Sequence, residues 1–322
     1  MAYNNMISRS DAEALIPEDA ANDILEVVPV MNPILSMARK LPNLTRAQRR
    51  LPVLGTFATA SFLSGDNARK QTTEVNWENK YIDAEEIAAI VPIPESVLDD
   101  SSYDIWGQVK PELQRAISVA ITKALIYGTN IPASWTTNLG AAGLVALTTA
   151  ASHYIDKSGY DDLYDAILGE TAAGVSGLFG LVEEDGYMVT GSIAHLTMKR
   201  KLRAVRDADG QPIFTRSMQD RTRYELDGQP LAFPSDGTIT AATSLLIAGQ
   251  FDQLVYAMRQ DMTYKILDQA VIQDATGAII YNLAQQDMVA LRAVVRIGVA
   301  LPNPPSRENE NDTTRCPFAI LY

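Results

Sequence analysis

Apolar and polar positions alternate with period two in two stretches of the first third of the chain. The first, Leu51-Pro-Val-Leu-Gly-Thr-Phe-Ala-Thr-Ala-Ser-Phe62, is rich in β-branched and aromatic residues, and the second runs from Glu74 to Val91 and carries Trp77 and Tyr81. Between them Ser64-Gly-Asp-Asn-Ala-Arg-Lys-Gln-Thr-Thr73 reads as a solvated tip. The pattern predicts an extended hairpin whose arms, at about 3.3 Å per residue, reach roughly 40 Å, well beyond the ~17–20 Å of an ordinary strand. A two-stranded ribbon of that length is marginal by itself, so its cover is expected to come from other chains.

Directly after the second arm the period changes to that of a helix. Ile93-Pro-Glu-Ser-Val-Leu-Asp-Asp announces the helix, Tyr127-Gly128 stops it, and Pro111 is expected near its first turn. Leu113, Ile117, Ala120, Ile121 and Ala124 fall on one stripe, which predicts packing on a sheet. Further helices are expected over 160–173 and 192–205, and strands over 187–190 and 288–302. The polar run Pro304-Pro-Ser-Arg-Glu-Asn-Glu-Asn-Asp-Thr-Thr-Arg315 reads as a surface loop. The class is α+β.

Charge changes the reading of the N-terminal segment. Residues 1–37 hold Asp11, Glu13, Glu18, Asp19, Asp23 and Glu26 against Arg9, whereas residues 38–50 hold Arg39, Lys40, Arg46, Arg49 and Arg50 with no carboxylate. With Pro17, Pro29, Pro33 and Pro42 interrupting it, this predicts a dipolar, extended arm with one short helix near 19–27. The formal net charge of −12 argues against a surface built to grip nucleic acid, whose footprint would be basic. The 322 residues, 47% hydrophobic, allow a sizeable core. No apolar run approaches the ~20 residues of a membrane span, nothing at the N-terminus resembles a signal peptide, and no membrane partner is expected.

Candidates for chemistry are few. His153, His195 and Cys316 are the whole His/Cys complement, too sparse for a zinc site, and Asp207-Ala-Asp-Gly210 lacks the spacing of a calcium loop. Gly174-Val-Ser-Gly-Leu-Phe-Gly180 is expected to be a helix exit leading into a strand, the reverse of a phosphate-binding order. No nucleophile elbow and no Gly-Lys-Ser/Thr are present. The basic run Met198–Arg206 has no interleaved aromatic for base stacking and reads as a solvated face. No catalytic residue, metal or cofactor is therefore expected.

The motifs Trp77-Glu-Asn-Lys-Tyr, Ile90-Val-Pro-Ile-Pro-Glu-Ser-Val-Leu-Asp-Asp-Ser and Asn130-Ile-Pro132 resemble, in order and spacing, the major capsid proteins of tailed bacteriophages with the Hong Kong 97 fold. Gly186-Tyr-Met-Val-Thr-Gly, Asp207-Ala-Asp-Gly-Gln-Pro-Ile-Phe, Leu226-Asp-Gly-Gln-Pro-Leu, Gly249-Gln-Phe-Asp and Met288–Pro302 continue the resemblance. It implies an N-terminal arm over 1–50, an extended loop over 51–92, a peripheral domain with a spine helix over 93–178, an axial domain over 179–287, and peripheral strands over 288–322. It also implies a structural protein of the virion, assembled in the host cytoplasm from pentamers and hexamers of itself around double-stranded DNA. Separate scaffold, portal and decoration proteins are implied partners; with arm-like sequence following Met1 almost at once, assembly guidance is expected from a separate scaffold or from none. An encapsulin-type shell around cargo enzymes is the alternative with the same fold.

Residues expected to contact neighbouring subunits are Arg39, Lys40, Arg46, Arg49 and Arg50 in the arm, Arg69 and Lys70 at the tip, and Trp77, Glu78 and Lys80 in the second limb of the loop. Some relatives join a loop Lys to a neighbour's Asn with help from a Glu of the peripheral domain. Lys70 and Lys80 are available here, but Met288–Ala300 contains no carboxylate, so no covalent crosslink is expected.

Overall fold

A computed structural model describes residues 32–63, 69–101, 104–140, 142–160, 162–170, 175–205, 224–274 and 276–322. The acidic half of the expected arm, the short helix over 19–27 and the Asp207–Gly210 turn lie outside these residues.

Two sheets share one core. The larger has five strands in the order Arg39–Lys40, Val255–Leu267, Met288–Ala300, Trp77–Pro94, Gln48–Leu54. Its heart is the antiparallel pairing of Trp77–Pro94 with Met288–Ala300, from Met288 opposite Pro94 to Gly298 opposite Ala84. The second half of the expected free-standing ribbon is thus an inner strand of the subunit's own sheet, which corrects the expectation that other chains must cover it. Its period-two alternation serves that sheet: Ile87, Ala89 and Val91 face the core, while Glu86, Ala88 and Ile90 are exposed on the outer face.

The first arm is also shorter than its composition predicts. Pairing stops at Leu54 opposite Trp77. Beyond that point threonine hydroxyls take over from the ladder: Asn76 N donates to Thr56 Oγ1 at 2.9 Å and Thr59 N to Thr73 Oγ1 at 2.9 Å. Hydroxyls placed next to the backbone compete with regular strand bonds. The two limbs then splay around a cavity of about 410 Å³ lined by Thr59, Ala60, Ser61, Leu63, Lys70, Gln71 and Thr72.

The helical run is split. A short helix, Glu95–Asp100, precedes a long one, Ile105–Tyr127, capped by the Asp104 carboxylate on Gly107 N (3.0 Å) and ended by Gly128 at φ +66°. Pro111 sits inside this helix rather than in its first turn. Leu113, Ile117, Ile121, Ala124 and Leu125 are buried, whereas Ala120 of the expected stripe is exposed. At about 1.5 Å per residue the helix spans roughly 35 Å. It shares one apolar cluster with Leu291, Ala293, Val295, Ile297 and Val299 of the central strand. Helix Gly143–Ala150 tucks against its C-terminal end, where Gly143 has φ +66° and a Cβ would lie 2.5 Å from Leu125 O.

The second sheet has six strands in the order Tyr154–Ile155, Phe318–Leu321, Leu246–Gly249, Gly191–Ala194, Gln229–Ala232, Tyr224–Leu226. Its central strands are buried at every position because both faces are covered. Phe318 and Ile320 join the first cluster, and Ala319 and Leu321 join a second one formed with helices Leu163–Leu168, Leu178–Glu184 and Leu196–Ala204. The sheets divide the chain differently from the expected domain boundaries. Val255–Leu267, from the 179–287 segment, lies in the five-stranded sheet, and Phe318–Leu321, from the 288–322 segment, lies in the six-stranded one.

Several local elements are displaced from their expected places. The helix over 160–173 is confined to Leu163–Leu168, and the strand over 187–190 falls on Gly191–Ala194, which pushes the following helix to Leu196–Ala204. Gly174–Gly180 leads from strand Val175–Ser176 into helix Leu178–Glu184, so it is a helix entry and not an exit. The start of that helix offers no room for a phosphate. Leu178 and Phe179 are buried, and a Cβ on Gly177 would lie 2.1 Å from Gly169 N.

Residues 33–50 belong to the body. Asn32 caps helix Pro33–Met37 and donates through Nδ2 to Ser118 O of the long helix at 3.2 Å, and Ile34 is 1% exposed within the main core. The chain then pairs in parallel with Val255 and Tyr256 and crosses the outer face of the sheet, where Leu44 packs on Ile82, Ala84, Val255, Ala257 and Ala300. Ile34→Ala is expected to destabilise the unassembled subunit by about 2–5 kcal/mol in urea denaturation. A segment that lay only on neighbouring subunits would leave that value within about 0.5 kcal/mol of the parent.

Candidate assembly surfaces

The crossing of residues 41–47 over the sheet separates the basic residues of the arm. Arg39 and Lys40 are exposed on one edge strand, and Arg49 and Arg50 lie on the edge strand at the opposite side. Arg46 is exposed between them. Arg49 is half-buried, and its guanidinium donates to Pro42 O at 3.0 Å, so part of this charge holds the crossing segment itself. The run that reads as one basic block in sequence becomes two edges.

Strand alternation divides the loop candidates between two faces. Trp77 and Tyr81 share one face, paired with Leu54 and Arg50, and are 69% and 41% exposed. Glu78 and Lys80 share the other, where the Lys80 ammonium lies 3.8 Å from Glu78 and 3.9 Å from Asp312. Such exposed pairs contribute little energy but do fix direction. Arg69 and Lys70 are exposed at the tip, beside Phe62 at 106% and Leu63 at 46% exposure. Trp77, Phe62 and Leu63 thus expose apolar and aromatic surface along this loop, the kind of patch that marks an interaction site.

Two further surfaces escaped the sequence reading. Strands Val271–Gln273 and Ile279–Asn282 form a hairpin that exposes Val271, Ile279, Ile280 and Tyr281. Its turn is fixed by the Asp274 carboxylate, which accepts from Thr276 Oγ1 at 2.7 Å, Ala278 N at 2.9 Å and Thr276 N at 2.8 Å; these bonds, the hydroxyl's above all, hold that carboxyl below its usual range. The Asp-Ala-Thr-Gly turn between two β-branched runs was the available signal. On the outer face of the large sheet, Arg296 stands opposite Glu86, with Nε 3.9 Å from its carboxylate. The carboxylate missing from Met288–Ala300 is therefore supplied beside it by the neighbouring strand.

The sparse titratable groups are used structurally. His195 caps helix Leu196–Ala204, its Nδ1 accepting from Thr197 N at 3.2 Å. His153 is buried, with Nδ1 3.2 Å from Phe318 O and Nε2 3.4 Å from the buried Asp185 carboxylate. That carboxylate accepts from Cys316 N and from Asn309 Nδ2, each at 2.7 Å. Burial pushes the Cys316 thiol up to about 12, so it stays protonated and unreactive at neutral pH. Among the described residues no group of three or more His, Cys, Asp or Glu is placed to hold a metal ion. Nor is any helix among the described residues long and apolar enough to cross a membrane. On helix Leu196–Ala204 the basic run turns Met198 and Leu202 inward, and the Lys199 ammonium sits 4.5 Å over the Tyr224 ring.

Comparison with known proteins agrees with this geometry. The phage capsid family matches residues 12–306. The major capsid protein of Staphylococcus phage 80alpha is 23% identical over 238 residues, covering 73% of this chain and 66% of that protein, just under two thirds of its length. A structure from Microbacterium phage Oxtober96 superposes with a TM-score of 0.80 at 30% identity over 98% of this chain and 99% of that one. One from Mycobacterium phage Bobi gives 0.78 at 28% identity, covering 98% of each chain. The α+β architecture, with its long helix laid on a five-stranded sheet and its projecting loop, is of the Hong Kong 97 type. By the extent of the family match and by these structural likenesses, this chain belongs to the phage capsid family.

Proposed function

We propose that this chain is the major capsid protein of a tailed phage, assembling in the host cytoplasm into an icosahedral shell of pentamers and hexamers that encloses double-stranded DNA. The observation that carries the reading is the extended loop. Its root is built into the subunit's own sheet, while Phe62 and Trp77 beyond or beside that root are 106% and 69% exposed. Large aromatics concentrate interface energy when a partner desolvates them. A projecting element with a fixed base and an open aromatic face fits a neighbouring copy, and closed symmetry multiplies such contacts into a shell whose stability belongs to the assembly.

The role is structural rather than enzymatic, consistent with the engagement of both histidines and the cysteine in packing. Enclosure of DNA would need no sequence-specific grip, and a net charge of −12 repels phosphate and leaves the genome free to move. Scaffold, portal and decoration proteins are the further partners of this reading, and no membrane partner is needed. The family match favours a phage shell over an encapsulin-type compartment for cargo enzymes.

Deleting residues 58–74 should leave a soluble subunit that forms no stable closed shells; normal capsids in electron micrographs would refute the assignment of the loop. No covalent ladder is expected when mature particles are run on a denaturing gel, because Glu86, the carboxylate beside the Met288–Ala300 strand, faces Arg296. Multimer bands that resist denaturation would show that the neighbouring strand's carboxylates do substitute.

A further inference from the structure

The run 303–316, which its composition presents as a solvated loop, is tied down along its length. Asn303, at φ +45°, opens it, with the Tyr187 hydroxyl within 2.8 Å of both Asn303 Oδ1 and Pro304 O. Burial pushes that phenol up to about 12, so it remains a neutral donor. Ser306 Oγ donates to Asp185 O at 2.5 Å, and the Asp185 carboxylate receives Asn309 and Cys316 as described above. The guanidinium of Arg315, 4% exposed, donates to Asn303 O at 2.8 Å, Asn309 O at 3.3 Å and Asp312 Oδ1 at 3.2 Å. A buried carboxylate and a buried guanidinium thus brace the two ends and the middle of one segment. Apart from Arg315 Nε, which has no hydrogen-bond partner among the described residues, these buried polar groups are paired, and a network paired at this many points favours a single conformation.

The outer rim of this strap meets the extended loop where the ladder of that loop gives out. Arg307 places its guanidinium 4.8 Å from the centroid of Phe57 and donates to Ala58 O at 3.5 Å. Asp312 lies 3.9 Å from the Lys80 ammonium in the other limb. The two contacts bracket the base of the loop, one on each limb. We infer that Arg307 and Asp312 are positioning residues for the extended loop, carried on a strap that Asp185 fixes to the body. The inference rests on the reading of that loop as the assembly element. The strap sets the direction in which the loop leaves the subunit, and its contacts at the rim are weak, solvent-exposed and reversible, so the loop stays adjustable while its base is aimed.

Hydrogen exchange on the full chain, kept unassembled at low concentration and checked by sedimentation, tests this directly. The amides of Gly55, Thr59 and Asn76 report on the base of the loop, since each donates a bond across the limbs. In the double variant Arg307→Ala, Asp312→Ala, peptides covering 55–63 and 69–76 should exchange roughly three- to tenfold faster. Peptides from the buried strands Leu246–Gly249 and Phe318–Leu321 should be unchanged. Arg307→Lys, which keeps a cation over Phe57, should restore most of the protection. Unchanged exchange in the loop overturns the inference, and so does a uniform rise that includes the buried strands, because the strap would then support only the fold. The readout is taken on single subunits, so it fails or succeeds independently of shell formation.

Discussion

The pairing of strand Trp77–Pro94 with Met288–Ala300 is the constraint on which the rest of the molecule depends. One face of this pair supplies apolar rows that share a cluster with the long helix. The other face takes the crossing segment around Leu44 over Ile82 and Ala84, then stays open farther along the strand at Ala88 and Ile90. The same strand runs on past its partner's end into the extended loop, so the direction of that loop is inherited from the core of the subunit. A free ribbon would have to be ordered at assembly, with the entropy cost that ordering brings. A ribbon rooted in the core carries most of that cost within folding.

Legibility in the sequence followed the physics of burial. Elements with one covered face were readable: the stripe Leu113, Ile117, Ile121 marked the long helix, and Met288–Ala300 stood out as a strand because its apolar run exceeds what a loop tolerates. Strands buried on both faces lack alternation, so the expected helix began at Ser192, inside strand Gly191–Ala194, and the expected strand fell four residues early, on the irregular segment 187–190. The extent of the hairpin was misjudged for a different reason. Thr56 and Thr73 carry strand propensity in their β-branched side chains, yet here their hydroxyls accept backbone N–H groups across the limbs in place of a carbonyl.

The assembly surfaces were legible only in part. Trp77, expected to contact a neighbouring subunit, is 69% exposed, but Arg49 holds the crossing segment, and the basic block is split between two edges by a chain path that no local pattern encodes. Polar composition hid the strap altogether, because Asp185, Asn309 and Arg315 organise it through contacts more than a hundred residues apart in one case and side chain to backbone in another. Such networks have no periodicity, and a run of Asn, Asp, Glu and Thr reads the same whether it is solvated or tied.

The central claim is that the aromatic face of the extended loop is open in the single subunit and closed by a neighbouring copy in the shell. Hydroxyl-radical footprinting with mass spectrometry, on subunits and on assembled particles of the same protein, measures this residue by residue. Oxidation of Trp77 and Phe62 should fall severalfold on assembly, while Trp135, 1% exposed in the subunit core, should react equally little in both states. Equal labelling of Trp77 and Phe62 before and after assembly would contradict the account.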